Sequence, residues 1–195
     1  THDYKRNFDR CHDRLHDGHV TLAIDGRGEE LLDFLTRTLE EDGDVTEFSC
    51  EDALSMVGSF AYNGGEVNTE FVILEKETAL SRPVGRMEIV EEGAGKSGIY
   101  LPMLYGADGK ISVGDTMDIS IGSHVMQYQV CGFLNSAMAG SHNCSMSALL
   151  LTADKYEELE ESGYAPASTL VSVRIRDKEQ SEDFEAALKN KVSAA

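Results

Sequence analysis

Apolar residues along this chain switch between a helical period and strict alternation. Residues 3–17 carry Tyr4, Phe8, Cys11 and Leu15 at spacings of four, three and four. That is a thin helical stripe on an otherwise charged rod, broken by Gly18. His19–Ile24 (HVTLAI) reads as a strand, and Asp25-Gly26-Arg27-Gly28 turns the chain into a helix over Glu29–Glu41. Leu31, Leu32, Leu35 and Leu39 form the helix's inner face, and Glu29 and Glu30 sit in the first turn, where negative charge complements the dipole. Asp42-Gly43-Asp44 ends it. Val45–Cys50, Leu54–Tyr62 and Val67–Glu75 read as three strands, the last two joined by Asn63-Gly64-Gly65. Asn-Gly supplies the two positive φ angles of a tight type I′ hairpin turn. Phe71-Val72-Ile73-Leu74 is apolar on both faces, as a strand covered on both sides should be.

Composition shifts over 81–97 (SRPVGRMEIVEEGAGKS) toward Pro and Gly. Gly98–Leu134 then reads as a strand, a turn-bearing connection with Asp108-Gly109 and Val113-Gly114-Asp115, and two alternating strands at Met117–Ile121 and Gln127–Phe133. Ser136–Ser147 reads as a small, polar surface loop, and Ala148–Leu151 as a buried strand. Thr152-Ala153-Asp154 is cap chemistry for a helix over Lys155–Ser162. Leu170–Arg176 alternates as a strand, and Ser181–Val192 closes as an amphipathic helix on Phe184, Leu188 and Val192. The fold class expected is α+β with two lobes. A mixed α/β lobe takes residues 1–85 and 140–195, with 1–18 as a membrane-proximal stalk helix. A small all-β lobe, 86–139, is inserted between them.

Charge narrows the function classes. A formal net charge of −18 argues against nucleic acid, which rewards clustered Lys and Arg, and against anionic lipid headgroups. It fits the outer side of a membrane, since basic residues are retained on the cytoplasmic side. No apolar run approaches the roughly 20 residues of a membrane span. The chain starts at Thr1, without Met and inside a helical pattern, which reads as a segment cut from a longer protein. Cys11, Cys50, Cys131 and Cys144 show no paired spacing. Cys131 and Cys144 can bridge in an oxidising setting, and buried free thiols are the alternative.

Motifs that suggest chemistry do not assemble into a site. His12-Asp13-Arg14-Leu15-His16, with His19 nearby, resembles a zinc helix, but Asp replaces the general-base Glu and the helix reads as an exposed rod. Asp25-Gly26-Arg27-Gly28 has two of three dinucleotide-fingerprint glycines, and Glu29 and Glu30 repel a pyrophosphate. Ser141-His142-Asn143-Cys144 puts a thiol beside an imidazole, whereas cysteine nucleophiles meet their His from elsewhere in the fold. The expectation is a non-enzyme with no cofactor and no metal.

The segments also occur in a telling order: "IYLP", then "GD" before alternating apolar residues, then Tyr128-Gln129-Val130-Cys131-Gly132-Phe133. Before them stand "YKRNF", "CHDRLHDGHVTLAI" and "RPVGRMEIVEEGAGKSGIYLP"; after them come "LLLTADKYEEL" and "LVSVRIRDKEQSEDFEAALK". Over nearly the whole chain this order resembles the extracytoplasmic domain of MacB-like (FtsX-like) permease subunits of ABC transporters. The resemblance implies a domain between two transmembrane helices, on the extracellular or periplasmic side of the cell membrane. Its partner would be a cytoplasmic ABC ATPase, whose ATP hydrolysis is passed mechanically through the membrane. A second permease copy or an extracytoplasmic protein is a further possible partner. Tyr4, Phe8, Cys11 and Leu15 are then candidates for continuing the transmembrane helix or contacting that copy, with burial in the domain's own core as the alternative. The rival reading is a secreted or surface-attached acidic module that binds a cationic peptide or protein.

Overall fold

The computed structural model describes residues 16–136 and 146–195. Its elements run β1 (Val20–Asp25), α1 (Glu29–Glu41), β2 (Val45–Tyr62), β3 (Gly65–Glu75), α2 (Lys76–Leu80), β4 (Met87–Glu92), β5 (Ile99–Pro102), β6 (Thr116–Ile121), β7 (His124–Ser136), β8 (Met146–Leu151), α3 (Ala153–Ser162), β9 (Ala167–Ile175) and α4 (Ser181–Ser193). The fold is mixed α/β, as the α+β expectation requires. All nine described strands belong to one hydrogen-bonded network in the order β1-β9-β2-β3-β8-β5-β7-β4, with β6 pairing both β2 and β7.

That last pairing closes a ring. From β2 the ladder runs through β3, β8, β5, β7 and β6 and returns to β2 at Gly58 opposite Ile121 and Ser59 opposite Ser120. Period-2 alternation sends Leu54, Met56 and Phe60 of β2 inward to meet Phe71 and Ile73 of β3, Leu149 and Leu151 of β8, and Ile119 and Ile121 of β6. A six-strand ring is narrow enough for side chains alone to fill, and these are all buried. Outside the ring, Val72, Leu74, Tyr100, Leu134 and Leu150 form a second core with Ala79 of α2. Both faces of Phe71–Leu74 are therefore covered, as the sequence pattern requires.

A third core lies in an open sheet. The first half of β2 pairs with β9, and β9 pairs with β1. Leu35 and Leu39 of α1 and Leu188 of α4 cover one face of these strands, against Leu22, Val171, Val173 and Ile175. Leu31, Phe34, Phe184 and Val192 pack at its margin, while Leu32 is half-buried outside that cluster.

Several local expectations are corrected. Val45–Cys50 and Leu54–Tyr62 are one 18-residue strand, because Glu51, Asp52 and Ala53 pair without interruption with Leu170, Thr169 and Ser168. Tertiary pairing overrides the weak strand preference of Glu and Asp there. Met87–Glu92, three of whose six residues are Glu, is an edge strand with a register shift at Val90, and Lys76–Leu80 is a short helix capped by Glu75. Thr152 occupies the N-cap of α3 but makes no capping bond; its hydroxyl accepts from Gly98 N at 3.0 Å and faces Asp154 at 2.7 Å. The Asn63-Gly64 turn has φ of 51° and 76°, the type I′ signs. Short ladders of two residue pairs each join β5 to β8 and β6 to β2. The surface loop expected at Ser136–Ser147 falls mostly outside the described residues.

The ring tolerates no side chain where β4 meets β7. A Cβ on Gly132 would stand 2.2 Å from the Glu91 carbonyl oxygen and 3.0 Å from the Tyr100 ring. Gly132→Ala should lower unfolding stability by about 2–4 kcal/mol in urea titration. Gly43→Ala, where nothing lies within 4 Å, should stay within about 0.5 kcal/mol of the parent.

Candidate functional site

The face of the open sheet turned away from α1 and α4 is polar, and Arg82 covers it. Thr21, Ser172, Ser49, Glu51, Glu47 and Arg174 alternate with the apolar residues that face α1 and α4. Arg82-Pro83-Val84-Gly85, between α2 and β4, lies against this polar face. The Arg82 side chain is 0% exposed, and its guanidinium donates in three directions. Nε reaches Glu51 Oε2 at 2.8 Å, Nη1 the Gly85 carbonyl at 3.1 Å, and Nη2 the Ser172 hydroxyl at 2.8 Å. Ser49 exchanges bonds with the Val84 backbone, its hydroxyl donating to the carbonyl at 3.2 Å and accepting from N–H at 2.9 Å. A buried cation requires such satisfaction, and a planar fork provides it with one side chain. Burial pushes the Glu51 carboxyl above its ordinary range, against the opposing pull of Arg82.

The same segment holds the first described residues. Gly85 N donates to the His16 carbonyl at 2.8 Å, and Arg174 Nη1 to the Asp17 carbonyl at 2.5 Å. His16 Nε2 lies 2.6 Å from Glu47. His19 Nδ1 accepts from Ile175 N at 3.0 Å, and burial followed by Arg174 holds its imidazole below the usual value. Ala195 shares a shallow groove with Phe34, Thr38, Glu41 and Asp42, just before Gly43 and Asp44, whose carbonyls accept from Arg176. His16 and Ala195 therefore lie at the same end of the sheet, where β9 finishes and β2 begins. The Asn63-Gly64 turn lies at the other end of β2.

Further polar ties link the ring to its surroundings. Lys76 donates to Glu92 at 2.8 Å and sits 5.0 Å from the centroid of the Tyr100 ring, while the Tyr100 hydroxyl donates to Glu92 at 2.5 Å. The Lys76 bond draws the Glu92 carboxyl below its ordinary value, and burial followed by Glu92 raises Tyr100. Ser97 donates to Asp154, holding its carboxyl low together with Thr152. Arg27, the arginine of the glycine turn, pairs with Glu160 and reaches the Tyr156 hydroxyl at 3.4 Å. Its charge is committed to α3 and not presented to a phosphate.

Of the sequence candidates, Tyr4, Phe8, Cys11 and Leu15 lie outside the described residues, as do His12 and Ser141-His142-Asn143-Cys144. His16 and His19 are engaged separately, and among the described residues no group of three or more His, Cys, Asp or Glu is arranged to hold a metal ion. Cys50 and Cys131 are free thiols. Burial pushes Cys50 up to about 12 and raises Cys131 as well. No described helix is long and apolar enough to cross a membrane. Arg82 escaped the sequence reading because Arg-Pro-Val-Gly carries no periodicity, and an arginine has no local mark of burial.

No protein-family model matches the chain, and no curated protein matches it. Among solved structures, the periplasmic region of MacB from Actinobacillus actinomycetemcomitans is similar at 10% identity and a TM-score of 0.38, covering 88% of this chain and 83% of that one. The extracellular domain of the noncanonic ABC-type transporter YknZ from Gram-positive bacteria is similar at 13% identity and a TM-score of 0.36, covering 84% and 88%. Both are extracytoplasmic parts of ABC transporters, the kind of domain the sequence resembles.

Removing one partner of the buried pair should be severe. Arg82→Ala deprives Glu51, Ser172 and the Gly85 carbonyl of the guanidinium and should lower stability by about 3–5 kcal/mol, whereas Arg82→Ala with Glu51→Gln should recover part of it. A carboxyl raised on folding binds its proton more tightly in the native state. Its contribution therefore falls as pH climbs from about 4.3, the ordinary Glu value, through the folded pKa. Stability measured by denaturant across that window should fall more steeply with pH in the parent than in Glu51→Gln.

Proposed function

We propose that this chain is the extracytoplasmic domain of an ABC transporter permease of the MacB/FtsX-like kind, non-catalytic and tethered to the membrane at both ends. The observation that carries the reading is the order of the sequence segments, which holds from "YKRNF" to "EAALK" across nearly the whole chain. The placement of His16 and Ala195 at the same end of the sheet supports it. Two tethers at that end would set the open sheet against the membrane and point the ring outward. β2 alone would span roughly 55–60 Å of contour between those ends.

In this reading the two lobes, 1–85 with 140–195 and 86–139, transmit motion. A cytoplasmic ATPase shifts the membrane helices, and the stalk at 1–18, through Tyr4, Phe8, Cys11 and Leu15, passes that shift to His16. From His16 the path is short. Gly85 N holds the His16 carbonyl, Arg82 holds Gly85, and β4 follows two residues later. The far end of the ring, around Asn63-Gly64 and Leu104, would meet the substrate or an extracytoplasmic partner; Leu104 is 59% exposed.

The test uses the full-length parent protein in intact cells. A cysteine at exposed Glu66 should react with a membrane-impermeant maleimide without lysis, and an ATPase with nucleotide-binding motifs should copurify. Labelling only after lysis, or parent flanks without hydrophobic stretches of about 20 residues, would overturn the assignment.

A further inference from the structure

The two edges of the described sheet differ sharply. β4, at one edge, carries Glu88, Glu91 and Glu92 and a register break at Val90, devices that discourage strand addition. β1, at the other, has neither. Its six residues, Val-Thr-Leu-Ala-Ile-Asp, pair with β9 in unbroken register, with no Pro, no Lys and a single charge at the end. No described strand pairs with its outer side.

The hydrogen-bond phase of that edge is fixed by its neighbour. Gly26 N donates to the Ala167 carbonyl at 2.9 Å, continuing the register in which Ile24 faces Thr169 and Leu22 faces Val171. Antiparallel ladders bond alternate residues, so Val20, Leu22 and Ile24 are satisfied by β9. Thr21, Ala23 and Asp25 turn their N–H and C=O groups outward.

We infer that this edge pairs with β1 of a second copy of the chain, antiparallel about a two-fold axis at Ala23. The sequence is self-complementary in that register and in a useful way. Ala23 meets Ala23 of the second copy, Thr21 meets Asp25, and Leu22 meets Ile24. Outward-bonding residues fall opposite one another, which allows about six N–H···O bonds. On the polar face each Thr21 hydroxyl stands where it can donate to an Asp25 carboxylate. On the other face Leu22 and Ile24, members of the core under α1 and α4, pair across the seam and cover the half-buried Ile24. An isologous contact of this kind closes on itself and does not propagate into fibres.

One strand pair is a small interface, and each copy carries a formal charge of −18. The dimer is therefore weak and strengthens with salt, because screening removes the repulsion between copies while the backbone bonds and apolar pairs of the seam are little affected. This pairing is separate from the transporter reading and stands or falls without it.

Sedimentation velocity on the purified chain, over about 5–500 µM at low and high salt, tests it. A reversible dimer that tightens with salt is expected. Ala23→Pro removes an outward N–H that the β1–β9 ladder does not use, and should weaken association at least about tenfold with melting temperature nearly unchanged. Should the Pro variant fail to fold, Thr21→Asp serves instead. It sets carboxylates opposite each other and should weaken the dimer similarly, and Thr21→Asp with Asp25→Lys should restore it. A chain that stays monomeric at every concentration and salt overturns the inference. So does a dimer that both Ala23→Pro and Thr21→Asp leave intact.

Discussion

Everything in this fold hangs on β2 serving two sheets with one alternation. Its first half lies in the open sheet against β9, and its second half lies in the ring against β3 and β6. Side-chain period is fixed at two, so Phe48 and Cys50 face the helices while Leu54, Met56 and Phe60 face the ring interior. A slip of one residue would empty both cores at once. The chain changes sheets without a break in the strand, and the two cores are thereby locked in register. This is why the nine described strands form one network.

Arg82 secures the consequence of that sharing. Where β2 leaves the open sheet, its polar residues Ser49 and Glu51 need cover, and no described helix lies over them. A peptide segment with its own unpaired backbone groups would be a poor lid by itself. The guanidinium removes the difficulty by satisfying a carboxylate, a hydroxyl and a carbonyl together. The lid also receives the His16 carbonyl. The contact that seals the polar face is thus the contact that joins the start of the described chain to the strand at the rim of the ring.

Polar ties add to apolar packing in connecting the helices and loops around the ring. Lys76 with Glu92 and Tyr100, Ser97 with Asp154, and Arg27 with Glu160 each bridge elements distant in sequence or in the sheet. Exposed pairs of this kind contribute little stability individually.

Local chemistry in the sequence determined the hairpin at Asn63-Gly64, the helices Glu29–Glu41 and Ser181–Ser193, the doubly covered Phe71–Leu74 and the α+β class. Each depends on neighbours within a few residues: positive φ at Asn-Gly, a helical stripe of leucines, apolar residues on both faces. The order of those segments also carried the resemblance to transporter permeases. Only the tertiary structure decided the fused β2, the strand at Met87–Glu92, the closed ring and the burial of Arg82. In each case the deciding partner lies far along the chain, Ser168 to Leu170 for residues 51–53, Gly132 to Ser136 for β4, Ile121 for Gly58, Ser172 for Arg82. A sequence displays what a residue prefers, but the ladder and the buried charge are fixed by what it meets.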